Sequence, residues 1–594
     1  MSKNLNTNAK RVSKSPRVKK KTKPHDGLDD SGFPKPTELS AAAIPPSRAH
    51  GASYHYPLLM SQLETCDPLL KWFDSVEDER CMPWRRDWID PERFDGSDDE
   101  LQEALAKRAY EVWVSEIMLQ QTRVQTVIPY YNHWLSRWPT IQSLSEASHD
   151  DVLSVWKGLG YYSRATRLHQ GAQAVIAQSQ SSTSAESKIC PIPDSPEKLQ
   201  NIPGIGRYTA GAISSIAFGN AAAVVDGNVC RVLSRQLGLW VDVKERAHVE
   251  RLWSVAEGLV RHVSSNDPQG ETGTWEEKKS AIPGKWNQAL MELGSTVCVP
   301  LKPKCGECPI RASCRAYAEG EALMEKDATR THIFAPLEDA CSYCGDIDIE
   351  DIEVANEDDG DSSASPPRKR RKREKEPRAA ISKYFTSHKC DGIADSISGG
   401  LVQEASGPRS SCSACSRSIS IRNYCSLFPK KVSKKPRTEK EGIICIIELR
   451  CTGKAGSSEY LIEKRPANGL LASLWQFPLI DITGSQPSST KSHQSSAEQC
   501  LSSLGIKPSN TSTVQHTAEL GTIVHLLTHI KLTMHVHSLV VVADDKERVS
   551  IMEDEVLQRK WVVREAVENE TLSTGMRKCW KLYKNSPKQN LNPE

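Results

Sequence analysis

The sequence predicts a mainly helical region followed by a smaller α+β domain, and three observations carry that reading. Apolar residues recur at helical spacing through Val112–Leu119, Ala210–Ala217 and Val249–Val260. From Gly442 the period changes to that of strands, in Ile443–Leu449, Tyr460–Ile462, His529–Thr533, Val536–Val542 and Trp561–Val563. A helix is expected to close the chain near Glu565–Leu582. Between the two regions the composition is biased, with an acidic run at Asp346–Asp361 and a basic one at Arg368–Arg373.

At 594 residues the chain is too long for one ordinary domain. Hydrophobic residues make up 38%, low for a chain folded throughout, so long disordered parts are expected. The formal net charge of +2 averages opposed segments, beginning with the basic KRVSKSPRVKKKTK at 10–23. The expected organisation is a disordered basic tail at 1–58, a helical region at 59–320, a disordered linker at 321–438, a β-rich domain at 439–585 and a tail at 586–594. No run approaches the ~18–20 apolar residues of a membrane span, and the N-terminus has no apolar signal core.

The eighteen cysteines scatter, except for Cys298-x6-Cys305-x2-Cys308-x5-Cys314. Four thiolates so close, in a reducing compartment, point to a metal site rather than disulfides. Zinc and a [4Fe–4S] cluster both suit four cysteines. Lys302 and Lys304 project from the loop between the first two ligands, within reach of a phosphate. Cys66, Cys81, Cys190, Cys230, Cys445, Cys451, Cys500 and Cys579 are read as core or surface thiols.

Three further strings carry chemistry. In 201–232, a short helix (Pro196–Gln200, N-capped by Ser195) meets Pro203-Gly204-Ile205-Gly206 before a second helix begins. Glycines there bare backbone N–H groups at a helix N-terminus, an anion seat; an ordinary turn is the alternative. Asp226 follows an apolar run, Ala221–Val225, eighteen residues beyond Tyr208. In Val112–Thr122, VWVSEIMLQQT, Glu116 interrupts an apolar helix face. In Gly158–Arg164, GLGYYSR, two tyrosines follow a glycine turn; Arg164 and Arg167 are expected on phosphates.

Together these strings resemble the helix-hairpin-helix element and flanks of the endonuclease III superfamily of DNA glycosylases. VWVSEIMLQQT resembles the string peculiar to its MutY-type, eukaryotic adenine DNA glycosylases. The resemblance implies a two-lobed helical glycosylase with a [4Fe–4S] lobe on Cys298, Cys305, Cys308 and Cys314, DNA lying across the cleft. Glu116 is then the general acid for adenine N7, its pKa raised by an apolar pocket. Asp226 stabilises the oxocarbenium-like sugar, and Asn228 assists beside it. Tyr208 stands where relatives that also cut the strand carry a lysine, and it cannot form a Schiff base. Trp84 and Arg85, in MPWRR, shape the adenine pocket, although an acidic insertion, FDGSDDELQE, intervenes before the helix. Gln120, Gln121, Thr122, Leu159, Tyr161, Gly204 and Gly206 contact DNA, with Gln121 and Tyr161 entering the stack and Leu159 beside them. An aromatic face returns about 1–3 kcal/mol per base stacked, which roughly offsets extrusion of the target nucleotide.

The β-rich tail resembles the MutT (Nudix) fold through GLLASLWQFP at 469–478. An active pyrophosphatase needs glutamates to hold magnesium, but Glu498–Ile506 reads EQCLSSLGI, with Gln499, Ser502 and Ser503 in three of those places. The domain is therefore read as a lesion-recognition module without its own catalysis. By the same resemblance its reading loop is Leu527-Thr528-His529, where Thr528 and His529 face the lesion. In the linker, Cys341, Cys344, Cys412 and Cys415 are candidate ligands of one zinc ion, with Cys425 able to replace one. Ile381, Tyr384 and Phe385 resemble the anchors of a sliding-clamp peptide, and Arg368–Arg373 a nuclear localisation signal. The expectation is a monomeric, nuclear, monofunctional enzyme acting on adenine opposite 8-oxoguanine or guanine in duplex DNA, mitochondrial targeting being open. The alternatives are an endonuclease III-like glycosylase/lyase for oxidised pyrimidines and a catalytically inactive DNA-binding relative.

Overall fold

The computed structural model describes residues 33, 50–61, 66–181, 191–265, 279–326, 341, 343–344, 418, 421–432, 436–451, 458–466, 469–482, 490–506, 512–527, 529–543 and 558–586. None of the described helices is long and apolar enough to cross a membrane. Thr528, Cys412, Cys415, Cys190, Ile381, Tyr384, Phe385 and Arg368–Arg373 lie outside these residues.

The helical region has two cores. The first is built by α2 (Asp98–Leu119), α3 (Val124–Arg137), α4 (Ile141–Ser145), α5 (His149–Val155), α6 (Ser163–Ser181), α7 (Pro196–Leu199) and α8 (Arg207–Ile216) around the fully buried Trp113, Trp134 and Trp156. The second joins α1 (Asp67–Val76) to α9 (Gly227–Gln236), α10 (Arg246–Ser265) and α11 (Ala281–Thr296), and α12 (Arg315–Lys326) follows the four-cysteine loop. Tyr208 and Met291 pack against both cores, so the seam between them is lined from each side.

The acidic stretch before VWVSEIML is continuous with the helix that carries Glu116. It forms the first turns of α2, where Ser97 Oγ accepts from Glu100 N at 3.3 Å and Glu100 Oε2 accepts from Ser97 N at 2.8 Å. Asp98, Asp99 and Glu100 then sit where the helix dipole favours negative charge. Arg108, buried on α2, donates to the carbonyls of Trp84 (2.9 Å) and Arg86 (3.2 Å) and so ties the MPWRR segment to the helix carrying Glu116.

The C-terminal domain is one mixed sheet between helices. β1 (Thr438–Cys451) pairs with β2 (Ser458–Lys464) on one side and runs parallel to β6 (Ile530–Ala543) on the other. β3 (Trp475–Gln476) and β7 (Arg559–Val563) pair with β2, β4 (Leu479–Asp481) with β1, and β5 (Ser512–Leu526) with β6. One face packs on α13 (Thr490–Ser503), the other on α15 (Thr574–Lys584), with α14 (Arg564–Asn569) at its edge. Burial on both faces explains why β1 reads as a continuous apolar run rather than an alternation. The segments His529–Thr533 and Val536–Val542, expected as two strands, form the single β6, and the closing helix is divided at Ser573, which N-caps α15. Gln499, Ser502 and Ser503 lie exposed along α13.

The expected tails and linker are partly docked. Phe33 and Tyr56 belong to the second core, and Ile421, Cys425 and Phe428 pack on Trp240 and Ala316 beside the cysteine loop. Leu474 is fully buried in the first helical core, Leu471 packs against it, and Lys464 Nζ pairs with Asp150 Oδ1 at 2.8 Å. The GLLASLW string is therefore the plug by which the two domains meet.

Arg164 is corrected from phosphate contact to buried clamp. Its Nη1 donates to the carbonyls of Ile117 (3.0 Å), Met118 (2.9 Å) and Gln120 (2.6 Å), and its Nη2 to Thr122 Oγ1 (3.2 Å) and Gly160 O (3.1 Å). The free carbonyls at the end of α2 need donors, and a guanidinium supplies several at once. Burial lowers its pKa to about 10, so it stays charged at neutral pH. Arg164→Ala should cost about 2–4 kcal/mol of stability, read as a lower melting temperature, because these buried carbonyls lose their partner. Exposed Arg167→Ala should leave the melt unchanged and reduce the salt slope of DNA binding by about one.

Candidate active site and metal centres

A cleft of about 1040 Å³ opens at the seam, lined among others by Trp84, Arg85, Glu116, Gln120, Gln121, Thr122, Tyr208, Asp226, Asn228, Gln288 and Glu292. Glu116 reaches it from the last turns of α2 and is only 6% exposed. The Tyr208 hydroxyl, from the first turn of α8, donates to Glu116 Oε2 at 2.7 Å and lies 3.2 Å from Met291 Sδ. Burial is the main cause that raises Glu116 to about 7; the Tyr208 hydrogen bond and Arg85 oppose it, and Asp226 adds to it. A carboxyl at that value holds and releases a proton at neutral pH. Burial and the neighbouring carboxylates push the Tyr208 hydroxyl far above its ordinary value, so it remains a donor.

Asp226 is the N-cap of α9. Its Oδ1 accepts from Val229 N at 2.7 Å and its Oδ2 from Asn228 Nδ2 at 2.8 Å. Burial raises its pKa, while those bonds and Arg231 hold it down. A helix N-terminus and a side-chain amide therefore fix an acid whose anionic form they favour. Arg231 donates to Asn228 Oδ1 at 2.9 Å and through Nε to the Cys298 carbonyl at 2.8 Å.

The pocket's other wall places Trp84 at 7% exposure and Arg85 against Glu292, Nη2 to Oε2 at 2.5 Å. Arg80 holds the other Glu292 oxygen at 3.0 Å. Glu292 was not singled out from the sequence. Its place in NQALMELG, one turn after Gln288 on a largely buried helix, was the available signal.

The DNA-facing residues divide. Gln121 and Tyr161 are exposed, Tyr161 at 52%, and both have left-handed backbones, φ 55° and 48°. Such conformations persist only where the surroundings hold them; here the Arg164 guanidinium lies 5.5 Å from the Tyr161 ring centroid. Leu159 is corrected: it is buried in the helical core, since Gly158 and Gly160 (φ 106° and 79°) turn the chain so that Leu159 points inward and Tyr161 outward. Gln120 is exposed, and Thr122 accepts from Arg164. Gly204 adopts φ 88°, where a Cβ would meet Arg167 Cβ at 2.8 Å; Gly206 is the N-cap of α8, open in front. In the C-terminal domain His529 is exposed beside the β5–β6 turn, where Leu527 N donates to Ile530 O at 2.8 Å.

Cys298, Cys305, Cys308 and Cys314 line one small cavity and are all free thiols. Fully buried Arg235 donates to Cys298 Sγ at 3.2 Å and to the Val299 and Pro300 carbonyls at 2.8 and 3.0 Å. Four convergent thiols with a buried cation beside them fit an anionic iron–sulfur cluster. Cys425 lines the same cavity and lies against Cys305, so it serves this lobe and not the linker site.

Of the expected linker zinc ligands, Cys412 and Cys415 lie outside the described residues, while Cys341 and Cys344 meet two histidines. Cys344 Sγ lies 3.1 Å from His55 Nε2, His50 Nε2 2.9 Å from His55 Nε2, and Cys341 bonds with Cys344 and both histidines. His55 Nδ1 faces Leu237 O at 2.8 Å, which turns Nε2 toward the thiols. Two thiols and two imidazoles fit tetrahedral zinc. Nothing local in the sequence announces the histidines, since His55 and Cys344 are 289 residues apart.

Residues 114–256 match the model of the HhH-GPD superfamily base excision DNA repair protein, and residues 453–582 that of the NUDIX domain. The adenine DNA glycosylase of Homo sapiens is 32% identical over 523 residues, 87% of this chain and 73% of that one. That of Mus musculus is 33% identical over 516 residues, 87% and 77% of the two chains, and that of Schizosaccharomyces pombe 29% identical over 479 residues, 79% and 80%. The fold, the domain order and these relatives agree: the chain belongs to the adenine DNA glycosylases, base-excision repair enzymes that hydrolyse an N-glycosyl bond.

Proposed function

We propose that this enzyme removes adenine opposite 8-oxoguanine or guanine in duplex DNA and leaves the strand uncut. The observation that carries this reading is the pairing of Glu116, raised to about 7, with an Asp226 whose anion is favoured by a helix N-terminus and an amide, across one cleft. Adenine enters between Trp84 and the α2 face. The Glu116 proton passes to a ring nitrogen as the glycosidic bond lengthens, Asp226 balances the cationic sugar, and water completes hydrolysis. Tyr208 holds Glu116 in place by donating to it, and it offers no amine for a lyase step. Gln121 and Tyr161 fill the gap left by the extruded nucleotide.

The four cysteines would hold a [4Fe–4S] cluster, which when bound organises the loop bearing Lys302 and Lys304. Cys341, Cys344, His50 and His55 would hold zinc, pinning the N-terminal segment to the lobe. The C-terminal domain reads the base opposite adenine through Thr528 and His529. Ile381, Tyr384 and Phe385 are proposed as sliding-clamp anchors, and Arg368–Arg373 as a nuclear address.

Glu116→Gln should bind an adenine:8-oxoguanine duplex normally and lose excision by at least ~10²–10⁴-fold in single turnover; excision at the wild-type rate overturns the assignment. Asp226→Asn should be severely impaired. In the wild type, Glu116 must be protonated and Asp226 ionised, so the rate should fall as pH rises through about 7 and fall again at acidic pH. The two limbs belong to the coupled pair rather than to either residue alone.

The product strand should break only after hot alkali. A protein–DNA adduct trapped in high yield by borohydride, and lost on mutation of one lysine, would show a lyase step instead.

Truncation near Thr438 should retain adenine excision but narrow the preference for 8-oxoguanine over guanine opposite it. Thr528→Ala should reproduce part of that loss, about 1 kcal/mol for one hydrogen bond. An unchanged preference in single-turnover rates on both duplexes would move lesion reading into the helical lobes.

A further inference from the structure

The face of the sheet that packs on α13 changes character along β6. Leu539, Val541 and Ala543 continue the apolar core, but His537 and His535 precede them on the same face, because side chains two apart on a strand point the same way. α13 lays His493, in its first turns, onto those two imidazoles. The His493 and His535 ring centroids are 4.2 Å apart, and those of His493 and His537 are 6.4 Å apart at an interplanar angle of 85°. Glu441 enters from β1, its Oε1 2.6 Å from His535 Nε2. Glu441, His493 and His535 each bring one ligand atom, all within 4.8 Å of one another.

We propose that these three side chains bind one divalent transition-metal ion of the zinc class, at a site separate from both the four-cysteine loop and the Cys341–Cys344 group. The donor set is two imidazoles and a carboxylate, the nitrogen and oxygen ligands zinc accepts, with a fourth position left for water. Ligands about 2.0–2.1 Å from tetrahedral zinc lie about 3.3 Å from one another, a closure that side-chain rotation supplies. His535 has the orientation such a ligand needs: its Nδ1 faces Thr522 Oγ1 at 3.1 Å, which leaves Nε2 turned toward Glu441. The ligands come from β1, α13 and β6, so a bound ion ties the helix to the sheet. This is the helix on which Gln499, Ser502 and Ser503 stand in place of magnesium-binding glutamates. The ion therefore has a structural role in this domain and does not restore a hydrolase site.

The test uses full-length protein carrying Cys341→Ser and Cys344→Ser together, which removes both thiols of the other candidate zinc site. After equilibration with Zn²⁺ and gel filtration, zinc per chain is measured by mass spectrometry, with iron per chain reporting the intact helical region. The parent should retain close to one zinc, and its melting temperature should rise with Zn²⁺ and fall back with EDTA. His535→Gln and His493→Gln should each lose that zinc and the Zn²⁺-dependent shift, while their iron content is unchanged. A parent that keeps no zinc and shows no shift overturns the proposal, as does His535→Gln with undiminished zinc. His493, Glu519 and His537 form a second convergent triad; zinc lost in His537→Gln but kept in His535→Gln would overturn the ligand set proposed here. The parent's melting shift needs no histidine variant, so a variant that misfolds leaves the proposal still open to refutation.

Discussion

The contact on which the site depends is the hydrogen bond from Tyr208 to Glu116 inside the seam between two hydrophobic cores. An acid is useful there only if its proton stays on near neutral pH, and desolvation is what keeps it there. A carboxyl alone in such a place would be a buried polar group with a full desolvation penalty. Tyr208 satisfies one oxygen, yet, being un-ionised, it draws the acid down by less than burial lifts it. Tyr208 itself packs against both cores, so the geometry of the acid is set by the join between the lobes and not by either lobe alone.

The surrounding charges protect that balance. Arg85 points a guanidinium into the same cleft and would depress Glu116 if it stood unopposed; Glu292 takes up its charge at 2.5 Å and shares Arg80 on the other oxygen. Asp226 is treated in the opposite way, with donors assembled on it. Asn228 is held in turn by Arg231, which also grips the carbonyl of Cys298. The Asp226 carboxylate is therefore tied by three successive side-chain contacts to the loop that carries the first of the four cysteines. Burial raises both acids, and the donors gathered on Asp226 oppose that rise more extensively than the single Tyr208 hydroxyl does on Glu116.

Much of this was legible in the sequence. Glu116, Tyr208, Asp226 and Asn228 each stand inside a string whose spacing fixes a helix start or a helix face, so local order announced them. The Gly-x-Gly turns did the same for Tyr161, whose exposure follows from the positive φ of its neighbours. Local spacing fails for partners far apart in the chain. His50 and His55 meet Cys341 and Cys344, Cys425 reaches the cysteine loop, and Glu292 meets Arg80 and Arg85, none of them through a short motif. Arg164 was misread for a related reason: a basic residue beside a DNA-facing loop suggests phosphate, but the unpaired carbonyls ending α2 lay closer and needed donors. The acidic stretch FDGSDDELQE gave no apolar period to mark it as helical, because the capping box of Ser97 and Glu100 lies outside the apolar part of the helix it begins.

The same long-range logic joins the two domains. Leu471 and Ser473 adopt left-handed backbones, φ 55° and 59°, and so turn the GLLASLW loop out of its sheet. Leu474 then buries fully in the first helical core, near the fold that presents Tyr161. Around that apolar plug, Lys464 pairs with Asp150, Lys157 donates to the Glu568 carbonyl, and Arg577 approaches the Tyr162 hydroxyl at 3.5 Å. Exposed pairs of this kind add little affinity but fix register, whereas the buried leucine supplies the attraction. Tyr162 also accepts from Gly158 N, the first residue of the turn that carries Tyr161. The contact that docks the C-terminal domain thus bears on the turn that presents Tyr161, so the placing of that exposed ring and the docking of the domain are built on one mechanical element.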